Sequence, residues 1–360
     1  MRSLDAARST DPGFGSGNIG LAWVATSTPI DSSGAIRLLR ERLSAMPGVE
    51  KVGFSDNIAM NVLSTSSLTV TVNGVEPPPG QEGFDIDKTS VDTGFFGAAG
   101  YRLLRGRNFT LTDADSAPMV TVVNQAFVDK FYPGRDGLGQ AVRMRDGRTI
   151  EIIGVVNTAK VRSLGEDPRP AMFLSYLQWH PSTAWFVVKT SGDPDRLVED
   201  MKRVIQELEP EIFYFQSRTM KRHFEIMSLP IKLGALALGG FALLALVMAS
   251  TGLYGTVSYS VAQRTREVGI RLSLGASRSE VVRLLLTGGL KLVAIGAVLG
   301  LASAFILARL LQSLLFGIKA IDPLTFIAVP AVLLSVAFLA AWLPARRAGR
   351  VDPQVALRSE

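Results

Sequence analysis

Cysteine is absent from the 360 residues, and only two histidines occur, His180 and His223. No disulfide framework or thiol chemistry is therefore available, and two histidines far apart in the sequence do not predict a metal site. We expect neither a metal nor a cofactor. The sequence also has no glycine-rich loop ending in Lys and Ser or Thr, so the chain by itself is not expected to hydrolyse ATP.

Acidic residues are scarce in the second half of the chain. Residues 232–360 carry 13 Lys and Arg against 5 Asp and Glu, a net charge of +8, whereas residues 1–231 carry 25 against 27, a net of −2. The mean hydropathy of +0.25 is high for a soluble protein. A basic surplus on the apolar half is typical of the cytoplasmic flanks of membrane helices. It argues against nucleic acid as a partner, because a nucleic-acid-binding domain carries its basic patch on a soluble fold.

Three apolar segments of the second half are long enough to cross a bilayer, which needs about 20 residues. They run over about 233–257, 284–308 and 323–345. Lys291 lies near the start of the second segment, where a long side chain can reach the interface. The sequence therefore predicts that 231–360 is an all-α membrane domain of three transmembrane helices, in contact with lipid.

The orientation of these helices follows from the basic residues that flank them. The segment 258–283 holds five arginines and the tail after Ala345 holds four, whereas 309–322 holds only Arg309 and Lys319. Short segments rich in Lys and Arg remain in the cytoplasm. We therefore predict a multi-pass protein whose C-terminus is cytoplasmic and whose first 230 residues are extracytoplasmic.

Small residues recur at four-residue spacing inside the predicted spans. Ala245 and Ala249 form one such pair, and Gly296 and Gly300 in "GAVLG" form another. This spacing lets helix backbones approach closely. General packing within a bundle and a dimer interface both fit the pattern, and the sequence leaves the two open.

Residues 1–230 predict an extracytoplasmic α/β domain of two subdomains. A β-α-β unit is predicted at the start of this half, with strands at "NIGLAWVAT" and "VEKVGFS". The helix between them carries Ile36, Leu39 and Leu43 at helical spacing, and Asp31 and Ser32 precede it as N-caps. A second unit is predicted by "TAWFVVKT", a helix from Asp195 onward and "IFYFQS", which indicates an internal duplication. In this helix Leu197, Met201, Val204 and Leu208 share one face. The alternating runs between them, "SLTVTVNGV", "MVTVVNQAF" and "RTIEIIGVV", are typical of strands and predict the second subdomain.

No catalytic constellation occurs in this half. "GFGSG" at 13–17 is interpreted as a turn, since no strand precedes it and no Lys-Ser/Thr pair closes it. Asp113 and Asp115 in "LTDADS" are interpreted as loop or cap residues rather than an acid/base pair. We therefore expect a domain that binds, senses or couples, and not an enzyme.

The stretch "SVAQRTREVGIRLSLGASRSEVVRLLL", residues 260–286, lies between two predicted spans. Arg264, Glu267 and Arg271 share one helical face, and Gly275 is a natural helix end. The pattern predicts a short cytoplasmic helix over about 261–276, a turn and a new helix. A helix lying on the anionic inner leaflet and a helix docked in a protein groove both fit this spacing.

This stretch, with "LLFGIKAIDPLTF" and "LPARRAGRVDPQVALRSE", closely resembles the C-terminal segment of MacB/FtsX-like ABC-transporter permeases. "TDPGF", "VDTGFFGAAGYRLLRGRNFT", "VTVVNQAFVDKFYPGRDGLGQAVRM" and "IIGVVNTAKVRSLGEDPRPAMFLSY" resemble the duplicated orphan permease subgroup, so nearly the whole chain is covered. The resemblance implies a bacterial inner-membrane permease subunit of the mechanotransmission type. A separate cytoplasmic ABC ATPase would move its outer domain, for export of small molecules or peptides, and the permease would act as a homodimer or paired half.

The resemblance also implies that the cytoplasmic helix over about 261–276 is a coupling helix that contacts the ATPase. The contact residues carried over by this resemblance are Arg264, Arg266, Glu267, Gly269, Ile270, Arg271, Leu274, Gly275 and Ala276.

One departure concerns the first residues. Family members begin with a transmembrane helix, whereas "MRSLDAARSTDPGFG" has no apolar segment, and we expect the chain to be the C-terminal portion of a longer permease. The alternative function is a membrane-anchored binding, sensor or regulatory protein of the cell envelope without transport activity, including a truncated permease fragment.

Overall fold

The structure, a computed structural model, describes residues 13–15, 17–59, 61, 66–160, 162, 166–208, 212–263, 270, 283, 287, 291, 293–307 and 323–348. The chain divides into two compact units, Met1–Leu229 and Pro230–Glu360. The strands of the first unit are β1 (Ile19–Ala25), β2 (Val49–Ser55), β3 (Ser67–Val72), β4 (Phe84–Val91), β5 (Leu103–Gly106), β6 (Val120–Asn124), β7 (Ala141–Met144), β8 (Thr149–Val156), β9 (Ala171–Ser175), β10 (Thr183–Thr190) and β11 (Phe213–Thr219). The helices are α1 (Gly34–Ser44), α2 (Phe95–Ala99), α3 (Gln125–Phe131), α4 (Tyr176–Trp179), α5 (Pro194–Gln206), α6 (Met220–Gln263), α7 (Val293–Leu307) and α8 (Pro323–Ala348).

The first subdomain is an antiparallel sheet in the order β11-β1-β10-β2. Both predicted β-α-β units are present, as β1-α1-β2 and β10-α5-β11. The two strands of a unit are not neighbours, however, because β10 lies between β1 and β2, and β1 lies between β10 and β11. Each unit is therefore a split β-α-β unit, and the two interleave into one sheet.

Helices α1 and α5 contribute to the core of this subdomain through the residues that the helical spacing predicted. Leu39 and Met201 are fully buried in one cluster with Phe186 of β10. The N-cap of α1 differs from the prediction. Ser33 accepts a hydrogen bond from the backbone N–H of Ile36, whereas residues 30–32 form a preceding 3₁₀ turn, so neither Asp31 nor Ser32 caps the helix.

The second subdomain is inserted between β2 and β10 and is a closed barrel. Its strands pair in the ring β4-β3-β7-β8-β6-β9, and β9 returns to pair in parallel with β4. Closure leaves this ring without a free edge, and apolar side chains such as Val142, Ile150, Ile152 and Met172 belong to its buried cluster. The predicted strands in the three alternating runs are confirmed as β3, β6 and β8.

A third apolar cluster joins the two subdomains and is rich in aromatic rings. It combines Phe173 of the barrel and Trp185 of the sheet with Phe95 and Phe96 of α2. Gly53 of β2 permits the close approach of α2, because a Cβ at Gly53 would lie 2.4 Å from the backbone nitrogen of Phe95. The sheet is therefore covered on both faces.

The second unit is helical over its described residues. The segment Met220–Ser260 of α6 and the segment Ile327–Pro344 of α8 are long and apolar enough to cross a membrane, by length and composition alone. Of the predicted spans, 233–257 lies within α6, which begins at Met220 rather than near 233, and 323–345 lies within α8. The span 284–308 is described chiefly by α7, so the three-helix arrangement stays a prediction.

Candidate functional site

The first turns of α6 are part of the core of the first unit. β11 passes into α6 without a loop, and Thr219 caps the helix by accepting a hydrogen bond from the backbone N–H of Arg222 at 3.2 Å. Met220 is 1% exposed in the aromatic cluster, and the ring of Phe224 lies 5.7 Å from that of Phe14. The start of this apolar helix is thus packed into the first unit.

His223 is completely buried one turn into α6. Its Nε2 lies 3.2 Å from the carbonyl oxygen of Ala59, which can only accept, so Nε2 carries the proton. Its Nδ1 has no hydrogen-bond partner within the described ranges. Burial, with the positive charge of Arg218 as a lesser cause, lowers the pKa of His223 to about 4. The imidazole is therefore neutral at pH 7 and acts as a packing group against Trp185, 5.9 Å away.

A stack of aromatic rings lies on the sheet beside His223. Trp185 stacks on Trp23 at 5.6 Å, and Trp23 stacks on Phe215 of the edge strand β11 at 4.3 Å. The guanidinium of Arg218 lies 5.3 Å from the Trp185 ring, where burial lowers its pKa. These contacts tie the strand that precedes α6 to the middle of the sheet.

The carboxylates in "LTDADS" are structural, as predicted. Asp113 pairs with both terminal nitrogens of Arg107, and this pairing keeps the pKa of Asp113 below its usual value. Asp115 lies 2.9 Å from His180 at the surface. A carboxylate with a depressed pKa is a poor general base. Across the described parts of the chain, no group of three or more His, Cys, Asp or Glu is arranged to hold a metal ion.

The predicted ATPase contact lies almost wholly outside the described residues. Ile270 is helical and 44% exposed. The other predicted contact residues are outside the described ranges: Arg264, Arg266, Glu267, Gly269, Arg271, Leu274, Gly275 and Ala276. Gly296 and Gly300 lie in α7, and a Cβ at either position would meet no atom within 4 Å apart from its own helix.

Sequence reasoning did not find the site at the start of α6. His223 drew attention only as one of two histidines, and it is the fold that packs it against Trp185. A local signal was present in Thr219 followed by a basic and apolar helix, because Thr is a preferred N-cap.

Two family models match the chain. The MacB-like periplasmic core domain matches residues 4–204, and the FtsX-like permease C-terminal model matches residues 239–353. The ABC transporter permease YvrN of Bacillus subtilis, itself uncharacterized, is 27% identical over 75% of this chain and 69% of its own length. The macrolide export ATP-binding/permease protein MacB of Shewanella oneidensis is 25% identical over 97% of this chain and 51% of its own length.

The chain thus spans about half the length of that MacB relative. Among solved structures, the periplasmic region of MacB from Actinobacillus actinomycetemcomitans covers 64% of this chain and 99% of its own, with 14% identity and a TM-score of 0.41.

Proposed function

The chain belongs to the family of MacB-like, FtsX-like permeases of ABC transporters, and we propose that it is a permease subunit of the mechanotransmission type. In this function, ATP hydrolysis by a separate cytoplasmic ATPase moves the first unit, Met1–Leu229, called the outer unit from here on, and drives export of small molecules or peptides. Relatives named for macrolide export and for pyoverdine export support an export role.

The observation that carries this proposal is the continuity of α6. The helix runs from Met220, within the aromatic core of the outer unit, to Gln263, next to the predicted coupling residues. At 1.5 Å per residue, its 44 residues give a contour length of about 66 Å. Its one internal proline, Pro230, lies at the boundary of the two units. Such a helix transmits a displacement at one end to the other.

The topology proposed with this function has three spans, over about 233–257, 284–308 and 323–345. Residues 1–230 lie outside the inner membrane and the C-terminus lies in the cytoplasm. The charge of 258–283 supports a cytoplasmic position for the coupling segment. A homodimer or a pairing with a second permease half completes the membrane unit, with Gly296 and Gly300 as packing positions.

The test of this function is stimulation of the partner ATPase by the reconstituted chain. Glu267→Arg and Arg271→Glu should each abolish association and stimulation, because the predicted coupling helix would present reversed charges to its partner. Arg358→Glu in the predicted cytoplasmic tail is the matched control and should leave both unchanged. Parent-like stimulation by the first two variants would refute the coupling assignment. It would favour a membrane-anchored binding or sensor protein that has no transport activity.

A further inference from the structure

A cleft of about 710 Å³ runs along α1 in the outer unit. Helix α1 lines it with Arg37, Arg40 and Glu41, and Leu111 and Tyr176, from the segment between β2 and β10, line it as well. Its floor includes Phe54, whose ring lies 5.0 Å from that of Tyr176. Volumes of this size, with an apolar lining and a few polar groups, are typical of sites for small organic ligands.

Leu111 is an exposed apolar residue that lines the cleft. Leu111 is 70% exposed. The residues that follow and precede it in the loop are held by several hydrogen bonds. Asp113 accepts hydrogen bonds from the backbone and hydroxyl of Thr110 and from Arg107, and its own carbonyl accepts one from Ser175. Because these hydrogen bonds already order the loop, little conformational entropy is lost when a ligand packs against Leu111.

The charges of the cleft favour an anion near the N-terminal half of α1. Arg40 is fixed by the buried carboxylate of Asp92, 3.1 Å away. Arg37, one turn earlier on the same wall, has no ion-pair partner in the part of the chain that the structure describes. Because Asp92 offsets the charge of Arg40, Arg37 is the cation among the lining residues that is available to pair with an anion. Glu41 repels an anion at the other end of the same wall.

We propose that this cleft binds an amphipathic organic anion, whose carboxylate pairs with Arg37 and whose apolar part packs between Leu111, Tyr176 and α1. The proposal goes beyond the transport function, since it concerns a ligand site of the outer unit that needs no ATPase. The ligand would contact both subdomains and so bridge the sheet and the barrel.

Fluorescence anisotropy of dansylglycine tests the proposal on the full chain in phosphatidylcholine nanodiscs, with empty nanodiscs as the blank. The uncharged amide, dansylglycinamide, is the matched ligand. We expect saturable binding of dansylglycine, and binding of the amide that is weaker by about tenfold or more, the usual effect of losing a charge-assisted hydrogen bond.

Variants of the chain locate the site. Arg37→Glu and Leu111→Asn should each weaken dansylglycine binding by about tenfold or more. Arg196→Glu, at a side chain of α5 that is 89% exposed, should bind like the parent. Because the native chain has no cysteine, Ser44→Cys in the cleft can be blocked selectively with a bulky maleimide, and Ser191→Cys outside it is the control.

Blocking at 44 should abolish binding, and blocking at 191 should not. Unchanged tryptophan-fluorescence melting curves would show that each variant is folded. Equal binding of acid and amide, parent-like binding by Arg37→Glu, or no binding above the empty nanodiscs would each overturn the proposal. None of these measurements includes the ATPase, so failure here is distinct from failure of the transport function.

Discussion

The guanidinium of Arg107 donates two hydrogen bonds, of 2.7 and 2.8 Å, to the two carboxylate oxygens of Asp113. Asp113 also accepts a hydrogen bond from the backbone N–H of Thr110, and its carbonyl oxygen accepts one from the hydroxyl of Ser175, which attaches the loop to β9. A carboxyl whose pKa is depressed in the folded state stabilises the fold only while it is ionised. The contribution of Asp113 should therefore be complete above its ordinary pKa of 3.8 and be lost as the pH falls through the lowered value.

Asp113→Asn should lower the free energy of unfolding by about 1–2 kcal/mol at pH 7, because the charge-assisted pair between a buried carboxylate and the half-exposed Arg107 is broken. Thermal melting followed by tryptophan fluorescence measures the effect. Asp115→Asn, on the same loop but at the surface, should change stability by less than about 0.5 kcal/mol. Equal effects of the two substitutions would mean that the Arg107 pair does not stabilise the loop.

His223→Phe should remove a pH dependence of stability. The pKa of His223 falls from 6.5 to about 4 on folding, so the unfolded chain binds more protons between these values. Stability contributed by the neutral ring is thus present above pH 6.5 and is lost as the pH falls towards 4, by about 3 kcal/mol. Relative to the parent, the variant should therefore gain stability as the pH falls from 7 to 4, as measured by melting curves. His180→Gln is the control, and an unchanged slope in His223→Phe would contradict the buried neutral state.

Asp92→Asn should remove a pH dependence of stability that has the opposite sign to that of His223. Burial raises the pKa of Asp92 from 3.8 to about 6, although Arg40 opposes the rise. The folded state then binds more protons between these values, so this group destabilises the fold increasingly as the pH rises from 4 to 6, by about 3 kcal/mol. Asparagine keeps an acceptor for the N–H of Phe54 but cannot ionise. Relative to the parent, the variant should therefore gain stability as the pH rises from 4 to 6, whereas Asp129→Asn at the surface should follow the parent.

His223 and Asp92 change the stability of the fold in opposite directions as the pH rises from 4 to 6. We expect the parent melting temperature to vary little between pH 4 and 6 on account of these two groups, and the two single variants to diverge in opposite directions. A double variant should again be flat, because the sites share no contact and their effects should add. Parallel slopes in the two single variants would contradict this cancellation.

Continuity of α6 should be necessary for coupling and not for folding of the outer unit. Insertion of Gly-Ser-Gly after Leu229 interrupts the helix outside the aromatic core. It should abolish ATPase stimulation and leave the melting curve of the outer unit unchanged. The same insertion after Asp146, in the turn between β7 and β8, is the control and should preserve stimulation. Full stimulation after the first insertion would refute the mechanical function of α6.

Local patterns predicted the elements of the first unit but not their pairing. The period-2 and helical spacings of β1, α1, α5 and β10 lie within each segment and were readable directly. The neighbours of β1 are set instead by contacts such as Leu21 with Val187, far apart in the chain, which a local pattern does not encode. The closure of the barrel through β4 and β9 is hidden for the same reason.

The coupling assignment rests on family resemblance alone, because the spacing of the segment fits both a lipid surface and a protein groove, and it stays a prediction. The cleft along α1 was missed because its walls come from two subdomains. Arg37 and Leu111 are 74 positions apart, and neither local sequence pattern predicts that the two residues line one cleft.

The interleaved sheet also sets an order of events during synthesis and export. Among the described strands, β1 pairs only with β10 and β11. It therefore stays unpaired until more than 150 further residues have been synthesised. The barrel contains all of its own partners and can close first. The sheet is completed only at Thr219, one residue before α6 begins. Newly made chains should therefore expose β1 to chaperones until synthesis reaches α6.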